Sequence, residues 1–354
     1  MAQPQSRTSS KVTLADVART ARVGTATVDR VLNERENVSE QVRKRVLAVA
    51  RELGLRRILP ETHYRMVRIE VILPRPDLPL IERMNIEFQR LARRLDRSVS
   101  IHRTILKDET PEMLASALRK TKCEGVVVYA PDHPLVNDAV AELAARNVCV
   151  VTLISDLPSS RRKAYAGIDH YKAGRTAGAF MSRIVRGPGA IAILCNKLDI
   201  QSHAERIHGF SDYLSERAPD LEIADIVEGG DDRAKSEILL KSVFKSRIDV
   251  VGVYNAGAAN LGVAAAIRAD ILESRPIFIG HELTKTSAPL LREGIMTLAI
   301  DQAPDLQSQF AIEVLLNEFG FARLRELKQP YKSPVPIVLY SAENIPENAF
   351  AEVL

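Results

Sequence analysis

Between Val12 and Gly54 the chain reads VTLADVARTARVGTATVDRVLNERENVSEQVRKRVLAVARELG, and no other stretch constrains the fold as tightly. Thr13 can cap a helix, with Asp16 three residues on reaching back to complete a capping box. Leu14, Val17, Ala18 and Ala21 then recur at i, i+3, i+4, i+7, one apolar stripe on a 3.6-residue period. Arg22-Val23-Gly24 makes a tight turn, in which Gly24 either takes a positive φ or serves as a weak N-cap. A second helix is expected over Thr25–Asn33, burying Val28, Val31 and Leu32. Its other face carries Thr25, Ala26, Thr27, Asp29, Arg30 and Asn33. A third starts with Ser39 as N-cap, buries Val42, Val46, Val49, Ala50 and Leu53, and stops at Gly54.

Two short helices across a three-residue turn, closed by a third, form a helix-turn-helix. Its second helix has the size of the DNA major groove, where each base pair shows a distinct donor and acceptor pattern. Arg30 can donate two hydrogen bonds to a guanine edge. Thr25 and Thr27 can reach a phosphate or a base, and Lys11, Arg19 and Arg22 can meet phosphates. The plainer alternative is a small three-helix cap with solvated charges. Charge favours the first reading: residues 1–68 hold 14 Lys and Arg against 7 Asp and Glu, and the remainder 35 against 38. A basic head on a slightly acidic body points to a polyanion partner for the head.

The head resembles the lactose-repressor (LacI/GalR) family through VTLADVA, Val23, TVDRVLN at 27–33, VSEQVRKRV at 38–46 and ELG at 52–54. The resemblance implies a dimer reading a pseudo-palindromic operator, with Thr25, Ala26 and Arg30 at base-reading positions. Gly24 replaces the family's usual Ser, and TVDR its usual TVSR. Asp29 therefore either accepts from a cytosine amine or braces a nearby Arg. In the family a hinge helix follows and wedges a Leu pair into the minor groove. Here Pro60 and Arg65 fit that pattern, Glu61 and Tyr64 replace its Asn and Ala, and Met66 or Val67 would have to supply the wedge. The alternative is a plain basic linker; Arg56, Arg57 and Arg65 suit phosphates under either reading. The expected division is a DNA-binding domain over 11–55, a hinge over 56–67 and a body over 68–354.

In the body, apolar runs at 67–73, 98–104, 125–130, 148–154, 190–195, 222–227, 249–254, 276–280, 296–300 and 335–340 read as strands. Amphipathic stretches at 81–95, 111–120, 134–146, 171–185, 203–217, 233–246, 257–269 and 303–318 read as helices. This alternation predicts parallel sheets covered on both faces. Ten strands divide into two sheets of about five, breaking near AGIDHYKAG, so two doubly wound lobes are expected with a ligand cleft at their C-terminal strand edges. No nucleotide-binding glycine loop is present. EGGDD at 228–232 reads as a turn with an N-cap at Asp231 or Asp232. His133, His170, His203, His208 and His281 are scattered, with no second His at helical spacing from GHE at 280–282. Cys123, Cys149 and Cys195 sit in or beside apolar runs as small reduced core residues. No Ser–His–Asp or Cys–His arrangement, zinc spacing, secretory leader or membrane-length apolar run is found, so a cytoplasmic non-enzyme without cofactor is expected.

The body resembles the same family's effector domain, which is similar to two-lobed type I periplasmic sugar-binding proteins. GIDHYKAG, HAERIHGF, GVYNAGAANLGV and FIGHELT with TLAIDQAPDLQ carry the resemblance. It implies a ligand site built from Asp169, Arg206, Phe210, Asn255, Glu282 and Gln302. These types suit a sugar or polyol: carboxylates accept from vicinal hydroxyls, the guanidinium donates in a fork, and Phe88 or Phe210 can stack on a sugar face. Asp169 and Asn255 are equally placed to cap helices, and some family members take a purine or a phosphorylated sugar. The expectation is a homodimeric, effector-controlled transcriptional repressor; the alternative is a sugar receptor without gene control.

Overall fold

The computed structural model describes residues 12–33, 38–53, 55, 66–96, 98–321 and 335–347. The chain forms two compact units, Met1–Arg65 and Met66–Leu354. In the first, α1 (Leu14–Ala21), α2 (Thr25–Leu32) and α3 (Glu40–Glu52) enclose one core. The capping box on α1 forms as its sequence dictates: Asp16 N–H donates to Thr13 Oγ1, and Thr13 N–H donates to Asp16 Oδ2 at 3.0 Å. In the turn the left-handed residue is Arg22 (φ 52°), while Gly24 is the extended N-cap of α2. Val17, Ala21, Val28, Val31, Val46 and Ala50 are completely buried, joined by Leu47, which the periodicity did not single out.

The larger unit holds two sheets. β1 (Val67–Pro74), β2 (Val99–Leu106), β3 (Gly125–Val128), β4 (Cys149–Leu153) and β5 (Ala164–Ala166) pair in the order β2-β1-β3-β4-β5, all parallel. α4 (Pro79–Arg94), α5 (Pro111–Lys120) and α6 (Pro134–Ala145) connect them. After β5 the chain crosses to the second lobe. There α7 (His170–Ile184), β6 (Gly189–Cys195), α8 (Gln201–Arg217), β7 (Leu221–Glu228), α9 (Arg233–Ser246) and β8 (Val250–Asn255) follow. α10 (Asn260–Ile267), β9 (Ile277–His281), α11 (Ser287–Arg292) and β10 (Leu298–Asp301) complete the run. Sheet order is β11-β10-β9-β8-β6-β7, and β11 (Val338–Tyr340) is antiparallel to β10.

Three short elements escaped the periodicity: β5, α11 and a 3-10 turn at Ala342–Asn344. A further difference is one of placement. α12 (Pro304–Glu318) follows a second-lobe strand yet packs against α4, β4 and β5. Its Ala311, Val314 and Leu315 belong to the first-lobe core. The chain therefore crosses between lobes again at Asp301–Pro304, so the lobes share their connections at one side and open a cleft at their C-terminal strand ends.

Candidate functional site

On α2 the buried and exposed faces separate cleanly. Val28, Val31 and Leu32 are in the core, whereas Thr25, Ala26, Arg30 and Asn33 are exposed and Thr27 and Asp29 half-buried. Asn33 Nδ2 donates to Asp29 Oδ1 at 2.8 Å, one helical turn apart, which orients the Asp29 carboxylate along the outward face. Arg22 is exposed at the end of α1. Lys11, Arg65 and the segment 56–65 lie outside the described residues.

In the body a cleft of about 720 Å³ lies between the lobes. The first lobe contributes Leu78 and Ile81 at the start of α4, Glu109 after β2, Tyr129 after β3 and Ile154 after β4. The second contributes Asn196, Ser202, His203 and Arg206, then Asp231, Ala258, Asn260, His281, Glu282 and Gln302. Arg206 is 3% exposed. Its Nε–H donates to His170 Nδ1 at 3.1 Å and its Nη1 to the Ala256 carbonyl at 2.8 Å. Accepting at Nδ1 fixes the proton of neutral His170 on Nε2, which donates to the Ile154 carbonyl at 2.5 Å. Burial, and then the Arg206 charge, push His170 and His281 well below the ordinary imidazole range and His203 down to about 3.

Opposite, Gln302 Nε2 donates to Glu282 Oε1 at 2.6 Å. Glu282 Oε2 and Gln302 Oε1 are buried without a hydrogen-bond partner among the described residues; Arg83 Nη1 approaches the former only to 3.7 Å. Burial and the neighbouring Asp301 charge raise Glu282 to about 7. A hydrogen-bonded chain joins the two sides. Ile154 N–H donates to Gln307 Oε1 at 3.3 Å, and Gln307 Nε2 donates to the Gln302 carbonyl at 2.9 Å. The run Arg206–His170–Ile154–Gln307–Gln302–Glu282 thus passes through both lobes and both described crossings. Backbone strain gathers here too. Arg75, Ile154, Asp231, Glu282 and Ala303 all have positive φ (51° to 67°) at or just beyond strand ends. For a β-branched residue such as Ile154 that conformation is sterically costly, so the surrounding bonds must impose it.

The family profile of the periplasmic binding protein domain matches residues 69–320, and that of bacterial regulatory proteins of the lacI family matches residues 13–57. The chain belongs to the periplasmic binding protein family, with a lacI-family head. Catabolite control protein A of Priestia megaterium is 28% identical over 233 residues, which cover 62% of this chain and 65% of that protein. The match therefore spans a little under two thirds of this relative's length. GanP, a glucose-galactose binding protein from Geobacillus stearothermophilus, superposes with a TM-score of 0.70 at 20% identity, covering 79% of this chain and 99% of that one. A periplasmic solute binding protein from Actinobacillus succinogenes, with bound D-allose, gives 0.70 at 16%, covering 78% and 98%. At these identities the solved structures establish the two-lobed fold of the binding-protein body.

Of the six residues expected in the binding-protein cleft, Arg206, Glu282 and Gln302 line it. The others lie behind it. Asp169 caps α7, accepting from Lys172 N–H at 2.9 Å. Asn255 is fully buried, its carboxamide accepting from Gly257 N–H and donating to Asn260 Oδ1. Phe210 is sealed in the second-lobe core, stacked on Tyr254 at 4.5 Å, and Phe88 is equally buried in the first. Neither ring offers a face to a sugar; among the described residues Tyr129 is the Phe or Tyr that lines the cleft. Asp232 is the N-cap of α9, while Asp231 points into the cleft and accepts from Ala258 N–H and Asn196 Nδ2. The histidines are less scattered than their spacing suggests: His203 and His281 line the cleft and His170 braces Arg206. The convergence of three strand ends is what brings them together, and linear spacing carries no trace of it.

Two glycines set Arg206 in place. A Cβ on Gly174 of α7 would sit 1.9 Å from the Arg206 carbonyl oxygen, and one on Gly209 of α8 would sit 2.0 Å from that of Tyr171. α7 and α8 therefore pack backbone against backbone, and the resemblance-bearing segments GIDHYKAG and HAERIHGF are the two halves of that contact.

Proposed function

We propose that this chain is a sequence-specific transcriptional regulator whose hold on DNA is set by a small sugar or polyol bound in the cleft. The observation that carries it is the division of α2: its apolar residues close the head while Thr25, Ala26 and Arg30 remain outward. An Arg so placed suits bidentate donation to guanine, and exposed basic residues around it suit phosphates. Thr27, Asp29, Asn33, Arg22 and Arg65 complete the proposed DNA contacts.

The effector is held by Arg206, Glu282 and Gln302, with Asp169, Asn255 and Phe210 acting from behind them. Control works by population shift: an effector that bonds both ends of the chain from Arg206 to Glu282 favours one angle between lobes. A tenfold to hundredfold change in DNA affinity corresponds to about 1.4–2.8 kcal/mol of coupling. The protein works in the cytoplasm as a homodimeric repressor without catalysis. Exposed Ile86 on α4 and Ile105 on the edge strand β2, joined by the bond from Arg103 to Asn85, offer an apolar face to a second copy.

The test is a thermal-shift screen of the full chain against sugars, polyols and purines, followed by titration of operator DNA with and without each hit. Arg206→Ala is expected to abolish the shift while leaving effector-free DNA binding intact. A hit that shifts the melt but leaves DNA affinity unchanged would support the alternative, a receptor without gene control.

A further inference from the structure

The carboxylates that line the cleft are each answered by groups of this chain. Asp231 accepts from Ala258 N–H at 2.7 Å and Asn196 Nδ2 at 2.8 Å. Glu109 accepts from the Tyr129 hydroxyl at 3.2 Å and faces Arg75 at 3.5 Å. Glu282 bonds Gln302 through Oε1, and burial and the nearby Asp301 raise it to about 7, so that near neutral pH it carries only part of a charge. Arg206 is the exception. It is a permanent cation, 3% exposed, with no carboxylate within 4.0 Å among the described residues. Its hydrogen bonds go to a neutral imidazole and a backbone carbonyl, and among the described residues Nη2 has no partner. The surroundings add to the imbalance. His203, neutral and accepting at Nδ1 from Asn196 N–H, keeps its Nε2–H as a second donor in the cleft. α8 and α10 both start at the cleft with no side-chain cap and no acidic residue in the first turn. Asp231 and Glu282 feel its charge only from beyond ion-pair distance, so this buried cation has no direct counter-ion, and positive helix ends beside it add to the cost.

Resting on the reading that this cleft holds the effector, we propose that the effector is a sugar acid, a polyhydroxylated monocarboxylate whose carboxylate is received by Arg206 and His203 while its hydroxyls donate to Glu282 and Gln302. The free Nη edge of Arg206 presents parallel N–H groups that match a planar carboxylate. The two orphaned acceptors, Glu282 Oε2 and Gln302 Oε1, require hydroxyl or amine donors at the opposite end of the same ligand. A phosphate ester fits less well. Among the described residues neither Lys nor a second Arg lines the cleft, Arg83 is committed to Asp301 and Arg75 to Asp77, and a dianion would confront Asp231 and Glu109. A neutral sugar satisfies the acceptors and leaves the guanidinium charge unanswered.

Isothermal calorimetry on the full chain tests this with matched probes: D-glucuronate, D-galacturonate and D-gluconate, the neutral D-glucuronamide, D-glucose and D-galactose, and D-glucose 6-phosphate. At least one acid is expected to bind about 100-fold more tightly than its neutral counterpart. Arg206→Gln is expected to bring the acid and its amide to parity. Comparing acid with amide on the unaltered protein keeps the test decisive should that variant fail to fold. Binding of a neutral sugar as tightly as its acid overturns the carboxylate while leaving a sugar effector in place. Preference for the phosphate ester overturns it in favour of a phosphorylated sugar. Silence from every probe counts against the sugar reading itself, and the acid falls with it.

Discussion

Arg83, on the first lobe, donates to the Asp301 carboxylate of the second at 2.5 Å and to the Leu283 carbonyl at 3.0 Å. Asp301 is 1% exposed and stands where the chain recrosses between lobes, also accepting from Leu283 N–H and Ala303 N–H. This ion pair clasps the lobes beside the cleft. Replacing Arg83 by Met leaves a buried carboxylate with backbone donors alone. The expected loss is about 3 kcal/mol of stability, read as a lower urea midpoint for the body. An unchanged midpoint would mean that solvent replaces the guanidinium without penalty.

The close approach of α7 and α8 yields a second prediction. Gly209→Ala forces a methyl against the Tyr171 carbonyl, and backbone cannot move aside as a side chain can. Separation of the helices should lower stability by about 3 kcal/mol and displace Arg206, so that effector binding weakens more than stability alone requires. Gly187→Ala, where nothing lies within 4 Å but φ is 89°, serves as a comparison in which only backbone strain acts.

A third concerns pH. Glu282 has its folded-state pKa raised from 4.5 to about 7, chiefly by burial. The folded protein holds that proton more tightly than the unfolded chain. The contribution to stability is therefore fully present below about 4.5 and is lost as pH rises through about 7. Comparing wild type with Glu282→Gln isolates it, because the depressed histidines act alike in both. Their difference in urea stability should move in favour of the variant between pH 4.5 and 7 and then level off. A flat difference across that window contradicts the assignment.

How much of this was legible in the sequence follows from which interactions are local. Capping of α1 by Thr13 and Asp16 is settled within four residues, and the apolar stripes of α1 and α2 within eight, so both could be read directly. Strands such as GVVV are apolar on both faces because the sheet is covered on both, which is equally visible. β5, three residues long, is too short for any period to show. The return of α12 to the first lobe depends on where a crossing leads, and its apolar residues look the same whichever lobe they pack on. Glu282 and Gln302 line the cleft because each follows directly on a strand end, β9 and β10, whereas Arg206 reaches it from α8, a position that only the HAERIHGF resemblance indicated. Phe210, one turn on from Arg206, shares its buried face of α8 but lies deeper in the second-lobe core, stacked on Tyr254, and its spacing does not tell a cleft position from a core one. Asn196 has no local signal, while Asp231 reads as a turn or cap residue and His203 as one of several scattered histidines, because each lies in a turn or at a helix start with an unremarkable local pattern.

Recognition of DNA rests most directly on the outward face of α2. Selection of duplexes from a randomised pool by the full chain, followed by titration of the enriched sequence against a scrambled one, tests it. Wild type is expected to enrich a pseudo-palindrome, and Arg30→Ala to lose about 1–3 kcal/mol of preference for that sequence while retaining salt-dependent binding to any duplex. Enrichment of no sequence by wild type, or undiminished preference in Arg30→Ala, would contradict the proposal that this helix reads DNA.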